Sequence, residues 1–353
     1  MARPRPVVCV HFKYNGVPRV SREDKLVVRF LKSLGVEYAR FDLWWSDLEP
    51  DPGFLDTGAV EYYLSLLKFM TENGIEPLVI LGTGFPCWLR KGLLEPIDEK
   101  YCSWLKDRLG IDPCRVYVGR TSFYGKVFEY SMVASSIALR YARWFQLGNE
   151  LNNPLMKNKL DPIAFIYTLH KGLKESHRET RSRHQFKTIV NVFTCIPGWK
   201  NYVEKTCSRL RGVIDVIGID HYPGTWCSCY NPYNWSVLDD ILAIANRYNT
   251  KVAVMETGYP TNGIGLCGPR HGEEKQVKYM NYFFKTITSR YLDKLEFVSW
   301  YELLDEQHTL LNKTSYEGYF GVLKNDYRPK RSYYTLRKWF LYLKKSRIEN
   351  TNP

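Results

Sequence analysis

Two glutamates of this chain stand at the C-terminal ends of apolar runs. The stretch "WFQLGNELNN" (144–153) starts as a buried strand would, breaks at Gly148 and presents Asn149 and Glu150 side by side. The stretch "VAVMETGYPT" (252–261) ends its apolar run in Glu256. A pair of carboxylates can divide labour: an ionised one attacks carbon, and a protonated one delivers a proton to the leaving atom. At an acetal carbon that is the chemistry of glycosidic bond cleavage, and a separation of about 5–5.5 Å makes one of the pair a nucleophile. Strand ends also carry polar residues for capping alone, so the argument turns on whether the fold brings the two face to face.

Eight β-rich runs recur: 7–12, 36–43, 75–82, 142–148, 187–194, 213–220, 252–257 and 295–302. They are nearly continuous in apolar character, as parallel strands buried on both faces are. Amphipathic stretches at 21–35, 59–74, 127–142, 161–178, 234–249, 273–291 and 331–345 read as helices; the first opens on Ser21 and closes on Gly35. The alternation predicts an α/β fold, a single (β/α)8 TIM barrel over residues 1–353. An open doubly wound sheet is the alternative, but no glycine-rich dinucleotide fingerprint follows any strand. Residues 83–126 are too long for a plain connection after strand 3 and predict a structured flap on the catalytic face.

In such a barrel the C-terminal strand ends carry the chemistry. Strand 4 supplies Asn149 and Glu150, and strand 7 supplies Glu256. Strand 2 ("YARFDLWW") supplies Arg40 with Trp44 and Trp45 just beyond. Strand 6 ("GIDHYPGTW") supplies His221, Tyr222 and Trp226, and strand 8 ("VSWYE") supplies Trp300. A cation and a phenol beside a carboxylate keep it ionised, as a nucleophile requires. A tryptophan can stack on a sugar ring.

The set resembles the clan A glycoside hydrolases, retaining (β/α)8 enzymes with their glutamates on strands 4 and 7. The pieces are "WSDLEPDPGFLD" (45–56), "GNE" (148–150), "HYP" (221–223), "METGYPT" (255–261), "SW" (299–300) and "EGYFGVLKNDYRPKRSYY" (317–334). "HYPGTW" and "ETGYP" are most similar to family 53 endo-galactanases or family 17 β-1,3-glucanases, and "LEPDPGFLD" to families 5, 39 and 42. The resemblance implies Glu150 as general acid/base, Glu256 as nucleophile and Asn149 as partner of the substrate 2-hydroxyl. It implies Arg40 and Tyr222 as the groups that hold Glu256, and Trp300 as the sugar platform. Trp45 and His221 complete the expected substrate-binding set. His11, Glu302 and Asp305 could line the cleft or only pack or pair, Asp220 could cap the loop after strand 6, and Glu49 reads as structural.

The remaining features narrow the partners. The chain is 44% hydrophobic and 15% aromatic, which suits both a large core and a sugar-stacking cleft. The formal net charge of +13 is spread along the chain, so a nucleic-acid partner is not expected despite the basic balance. Nine cysteines without zinc spacing read as mostly reduced thiols, with a disulfide among Cys87, Cys102 and Cys114 open. No 18-residue apolar stretch and no signal-like h-region occur, so a cytoplasmic chain with no membrane partner is expected. The expected partner is a β-linked carbohydrate, with no cofactor and no metal. Transglycosylation by the same residues and a non-catalytic carbohydrate-binding barrel are the competing functions; the second would be expected to lose one glutamate.

Overall fold

In the computed structural model the eight runs become β1 (Arg5–Cys9), β2 (Tyr38–Asp42), β3 (Glu76–Leu81), β4 (Trp144–Leu147), β5 (Lys187–Phe193), β6 (Val216–Asp220), β7 (Lys251–Glu256) and β8 (Leu295–Trp300). All pair in parallel and close into one barrel in chain order. The structure describes residues 3–116, 121–154, 160–182, 185–227, 231–263, 271–306 and 316–348.

The helices are α1 (Arg22–Leu34), α2 (Trp45–Leu48), α3 (Thr57–Glu72), α4 (Cys87–Arg90), α5 (Cys102–Leu109), α6 (Pro113–Val116), α7 (Phe123–Ala138), α8 (Pro162–Thr180), α9 (Trp199–Arg209), α10 (Val237–Arg247), α11 (Glu273–Thr286) and α12 (Arg331–Ile348). Their ends follow local chemistry. Ser21 and Asp24 form a reciprocal capping box at the start of α1, and Gly35 closes it in the left-handed region. Asp56 and Asp161 cap α3 and α8 through their side chains. The sequence reading missed α9. That helix is polar over much of its length and starts at Gly198, which offers no side-chain cap, so neither signal was present.

Strand alternation sorts side chains into the barrel interior or the helix layer. Val7, Tyr38, Trp144, Ile189 and Phe297 pack together in the interior. Two residues further along the same strands the inward positions turn polar: Cys9, Arg40, Gln146, Asn191 and Ser299. Hydrogen bonds run across this layer from Arg40 to Gln146 (2.7 Å), from Gln146 to Asn191 (2.9 Å) and between Cys9 and Ser299 (3.4 Å). The apolar floor thus supports a polar mouth.

Among the described residues of 83–126 lie the short helices α4 to α6 and the start of α7. The segment docks on the loop after β2: the Trp88 indole donates to the Glu49 carbonyl (3.0 Å), and the Asp98 amide donates to the Gly53 carbonyl (2.9 Å). Glu49 is buried and accepts from Lys126 (2.6 Å), the Trp45 indole (3.1 Å) and the Gly53 amide (3.1 Å). It is structural, as its sequence context suggested.

Among the described residues four of seven cysteines pair, against the reading of mostly reduced thiols, and Cys102–Cys114 is one of the pairings that reading left open. Cys102 bonds to Cys114 and Cys195 to Cys227, with Cα atoms 6.1 and 4.1 Å apart; Cys9, Cys87 and Cys207 are free among the described residues. Sequence separations of 12 and 32 say nothing of which cysteines meet; loop approach at the strand ends decides it. No helix among the described residues is long and apolar enough to cross a membrane.

Candidate active site

Arg40 is the hub of the mouth. It is buried at 3% exposure and splits its donors three ways: Nε to Gln146 (2.7 Å), Nη1 to Glu256 Oε1 (2.7 Å) and Nη2 to Asn149 Oδ1 (2.8 Å). The planar fork suits this role because each N–H has a fixed direction. The Tyr222 hydroxyl donates to the other oxygen of Glu256 (2.6 Å). A cation and a phenol therefore grip the two oxygens of Glu256 and fix its orientation.

Simple alternation does not bring Glu256 to this position. From Ile219 opposite Val254 the β6–β7 register steps to Asp220 opposite Glu256, skipping Met255. Such an irregularity re-aims a strand end, so Met255 stays in the barrel interior while Glu256 still meets Arg40. Gly218 makes the room, since a Cβ there would lie 2.3 Å from Met255 Cγ.

Glu150 is held by a turn rather than a strand. Gly148 takes φ +75°, and Glu150 itself sits at φ +46°, a conformation unusual for a side-chain-bearing residue. The Asn191 side chain accepts the Glu150 amide (3.1 Å), and Asn153 donates to its carboxylate (2.8 Å). A third acid, Asp220, completes the group; it is fully buried and accepts from Asn191. Glu150, Asp220 and Glu256 each place one oxygen within 4.8 Å of the others. Burial first, then the neighbouring negative charge, raises Glu150 and Asp220 above the ordinary carboxylate range. The arrangement combines a carboxylate side chain held at both oxygens with two acids beside it whose site favours the protonated form.

Comparison with known proteins agrees with this geometry. Residues 132–287, from within α7 through α11, match the model of the family described as Glycosyl hydrolase family 53. That match covers under half of the chain, and the likeness to solved glycoside hydrolases is one of fold, the closed eight-strand parallel barrel. Over 82 residues it is 30% identical to the cytosolic beta-glucosidase of Homo sapiens, covering 20% of this chain and 18% of that enzyme. The matches span under a fifth of the length of the curated relatives. Over most of its length the chain has the fold of GH5_18 from Streptomyces cattleya, solved with GlcNAc, at TM-score 0.66 and 15% identity, with 98% of this chain and 81% of that one covered. Fungal beta-1,4-galactanase gives TM-score 0.60 at 14% identity, with 96% and 100% covered.

Within this barrel, three expected site residues do not reach the mouth. Trp300 is fully buried in the layer between barrel and helices, 6.1 Å from the Tyr279 ring. Phe297 and Ser299 point inward, so Trp300 points out, and Tyr301 takes the mouth position beside Tyr222 (6.1 Å) and His11 (6.2 Å). Trp300→Ala is expected to cost about 3–5 kcal/mol of stability, the range for a buried aromatic. Urea unfolding would measure it; a loss near zero would return Trp300 to the mouth. Trp45 is likewise fully buried, stacked on Tyr130 at 4.5 Å.

His221 faces away from the cleft because Asp220 and Tyr222 on either side face in. Its Nε2 lies 2.8 Å from the Asn234 carbonyl and its Nδ1 2.8 Å from the Thr194 hydroxyl. Burial lowers it to about 4, so the ring is neutral. Trp44 and Trp226 are half-buried, and Trp226 packs on Tyr316 at 4.9 Å. Asp305 pairs with Lys330 at 2.7 Å.

Gln146, Asn191 and Tyr301 were missed, and Asp220 was read only as a loop cap. The available signal was a polar residue at the last inward position of an apolar strand. Glu317, beyond β8, joins the same wall and is pushed up to about 8, mainly by burial and then by Glu302 and Glu256.

Proposed function

We propose that this chain is a retaining β-glycoside hydrolase acting on a β-linked oligo- or polysaccharide by double displacement. The reading places the chemistry in one barrel domain. One observation carries it: Glu256 is gripped by Arg40 and Tyr222 while a Glu150 oxygen lies within 4.8 Å of it. A nearest-oxygen spacing of that size supports the retaining arrangement, with carboxyls about 5–5.5 Å apart, over the inverting one at about 6.5–9.5 Å.

In this mechanism Glu256 attacks the anomeric carbon as Glu150 protonates the departing oxygen, giving a glycosyl ester on Glu256. Glu150, now ionised, takes a proton from water, and that water's oxygen displaces Glu256 from the opposite face. Asn149 Oδ1 already accepts from Arg40 (2.8 Å), Gln146 (3.1 Å) and Asn191 (2.6 Å). Three donors on one oxygen fix the amide orientation and leave Asn149 Nδ2 to donate to a substrate hydroxyl. Tyr301 takes the wall position expected of Trp300.

The test is the stereochemistry of cleavage. Because the family match and one structural neighbour concern family 53 and β-1,4-galactanase, β-1,4-galactan heads a panel of β-linked polysaccharides and aryl β-glycosides. The β-anomer is expected first by NMR, and an α-anomer formed first would reject the mechanism.

The pH profile gives a second check. Glu150 must hold its proton to act as acid, and its site favours the protonated form. Activity should therefore fall as pH rises through its raised titration. Glu150→Gln should abolish that basic limb and slow substrates with poor leaving groups by roughly 10²–10⁴-fold. A basic limb that persists in this variant would assign the acid role elsewhere.

A further inference from the structure

A second cluster of ligating groups lies at the β1–β8 corner, apart from the three acids above. His11 follows β1, and Glu302 and Glu306 follow β8. His11 Nε2 stands 3.4 Å from Glu302 Oε2 and 3.8 Å from Glu306 Oε1. The His11–Glu302 contact is long for a hydrogen bond, and among the described residues the other carboxylate oxygen, Glu302 Oε1, has no hydrogen-bond partner. Glu302 is only 1% exposed. An unpartnered carboxylate oxygen at that depth is costly unless something absent from the protein chain meets it.

We propose that His11, Glu302 and Glu306 bind a divalent cation of the zinc class. Ligands about 2.0–2.2 Å from a tetrahedral zinc stand about 3.4 Å apart along an edge, close to the gaps seen here. The donor set is one imidazole and two carboxylates, which suits zinc and its neighbours better than the all-oxygen shell of calcium or magnesium. Asp42 lies 3.6 Å from His11 Nδ1, on the far side of the ring. That is where a carboxylate orients a metal-bound histidine. The local charge points the same way: Glu302, Glu306 and Asp42 surround one imidazole, and the nearby Lys330 is committed to Asp305 (2.7 Å) and Thr261 (2.8 Å). The three ligands line a cavity of about 480 Å³ with Lys13, Asn15 and Tyr327, which can supply water to the fourth position.

The test uses the full chain, stripped with a chelator and titrated with Co²⁺. One equivalent should give the visible d–d bands of a low-coordinate cobalt site, without a thiolate charge-transfer band, and one equivalent of Zn²⁺ should bleach them. His11→Gln and Glu306→Gln should each weaken binding at least about tenfold, while circular dichroism reports an unchanged fold. Glu306 is partly exposed, so its variant serves if His11→Gln does not fold. No cobalt spectrum in the wild-type chain would overturn the site. So would a thiolate charge-transfer band, which one imidazole and two carboxylates cannot give, or unchanged affinity in the foldable variants. The readout is binding, so it stands apart from glycoside cleavage.

Discussion

Glu256→Ala, given azide and an activated aryl β-glycoside, is expected to yield the α-glycosyl azide; Glu150→Ala is expected to yield the β-glycosyl azide. Removing the Glu256 carboxylate leaves a gap beneath the anomeric carbon while Glu150 remains. Azide can enter that gap and attack once, with inversion. In Glu150→Ala the nucleophile survives, so an activated substrate still glycosylates Glu256. The second step then lacks its base, and azide, which needs none, displaces Glu256 with overall retention. Without azide, Glu256→Ala should lose about 10⁴-fold or more in kcat, as deletion of a nucleophile does elsewhere. The products are read by NMR. The opposite pairing of variant and anomer would exchange the two roles, and absence of either azide adduct would count against a covalent intermediate.

Arg40→Met should destabilise the fold by about 3–5 kcal/mol, the cost of stripping one partner from a buried ion pair. Arg40 and Glu256 are both nearly buried and meet at 2.7 Å. Loss of the guanidinium also frees Asn149 and Gln146, so Glu256 and Asn149, the proposed nucleophile and 2-hydroxyl partner, lose their positions. A misplacement of that kind costs about 10²-fold or more in turnover. Urea unfolding separates the two effects. In Arg40→Met with Glu256→Gln the uncompensated charge is gone, and much of the stability should return while activity stays absent. A single-variant loss below about 1 kcal/mol, the scale of an exposed ion pair, would mean that water screens the contact.

The barrel, and the placing of Glu150 and Glu256 at the ends of two of its strands, were legible because both rest on local information. Eight apolar runs separated by amphipathic stretches permit few architectures, and each glutamate stands at a strand end beside its own turn residues. Arg40 and Tyr222 were legible for the same reason, as the polar ends of strands 2 and 6. The parity of each strand end was not legible. A parallel strand buried on both faces carries apolar residues at every position, so its sequence does not say which neighbour points into the barrel. Closure of the barrel decides that, and it chose Tyr222 over His221 and Tyr301 over Trp300. It also required the skipped residue at Met255 that brings Glu256 to Arg40. The pairing of Cys195 with Cys227, and the meeting of His11 with Glu302 and Glu306, belong to the same class. Residues distant along the chain become neighbours only where loops converge at one end of a closed sheet, and no local pattern encodes that convergence.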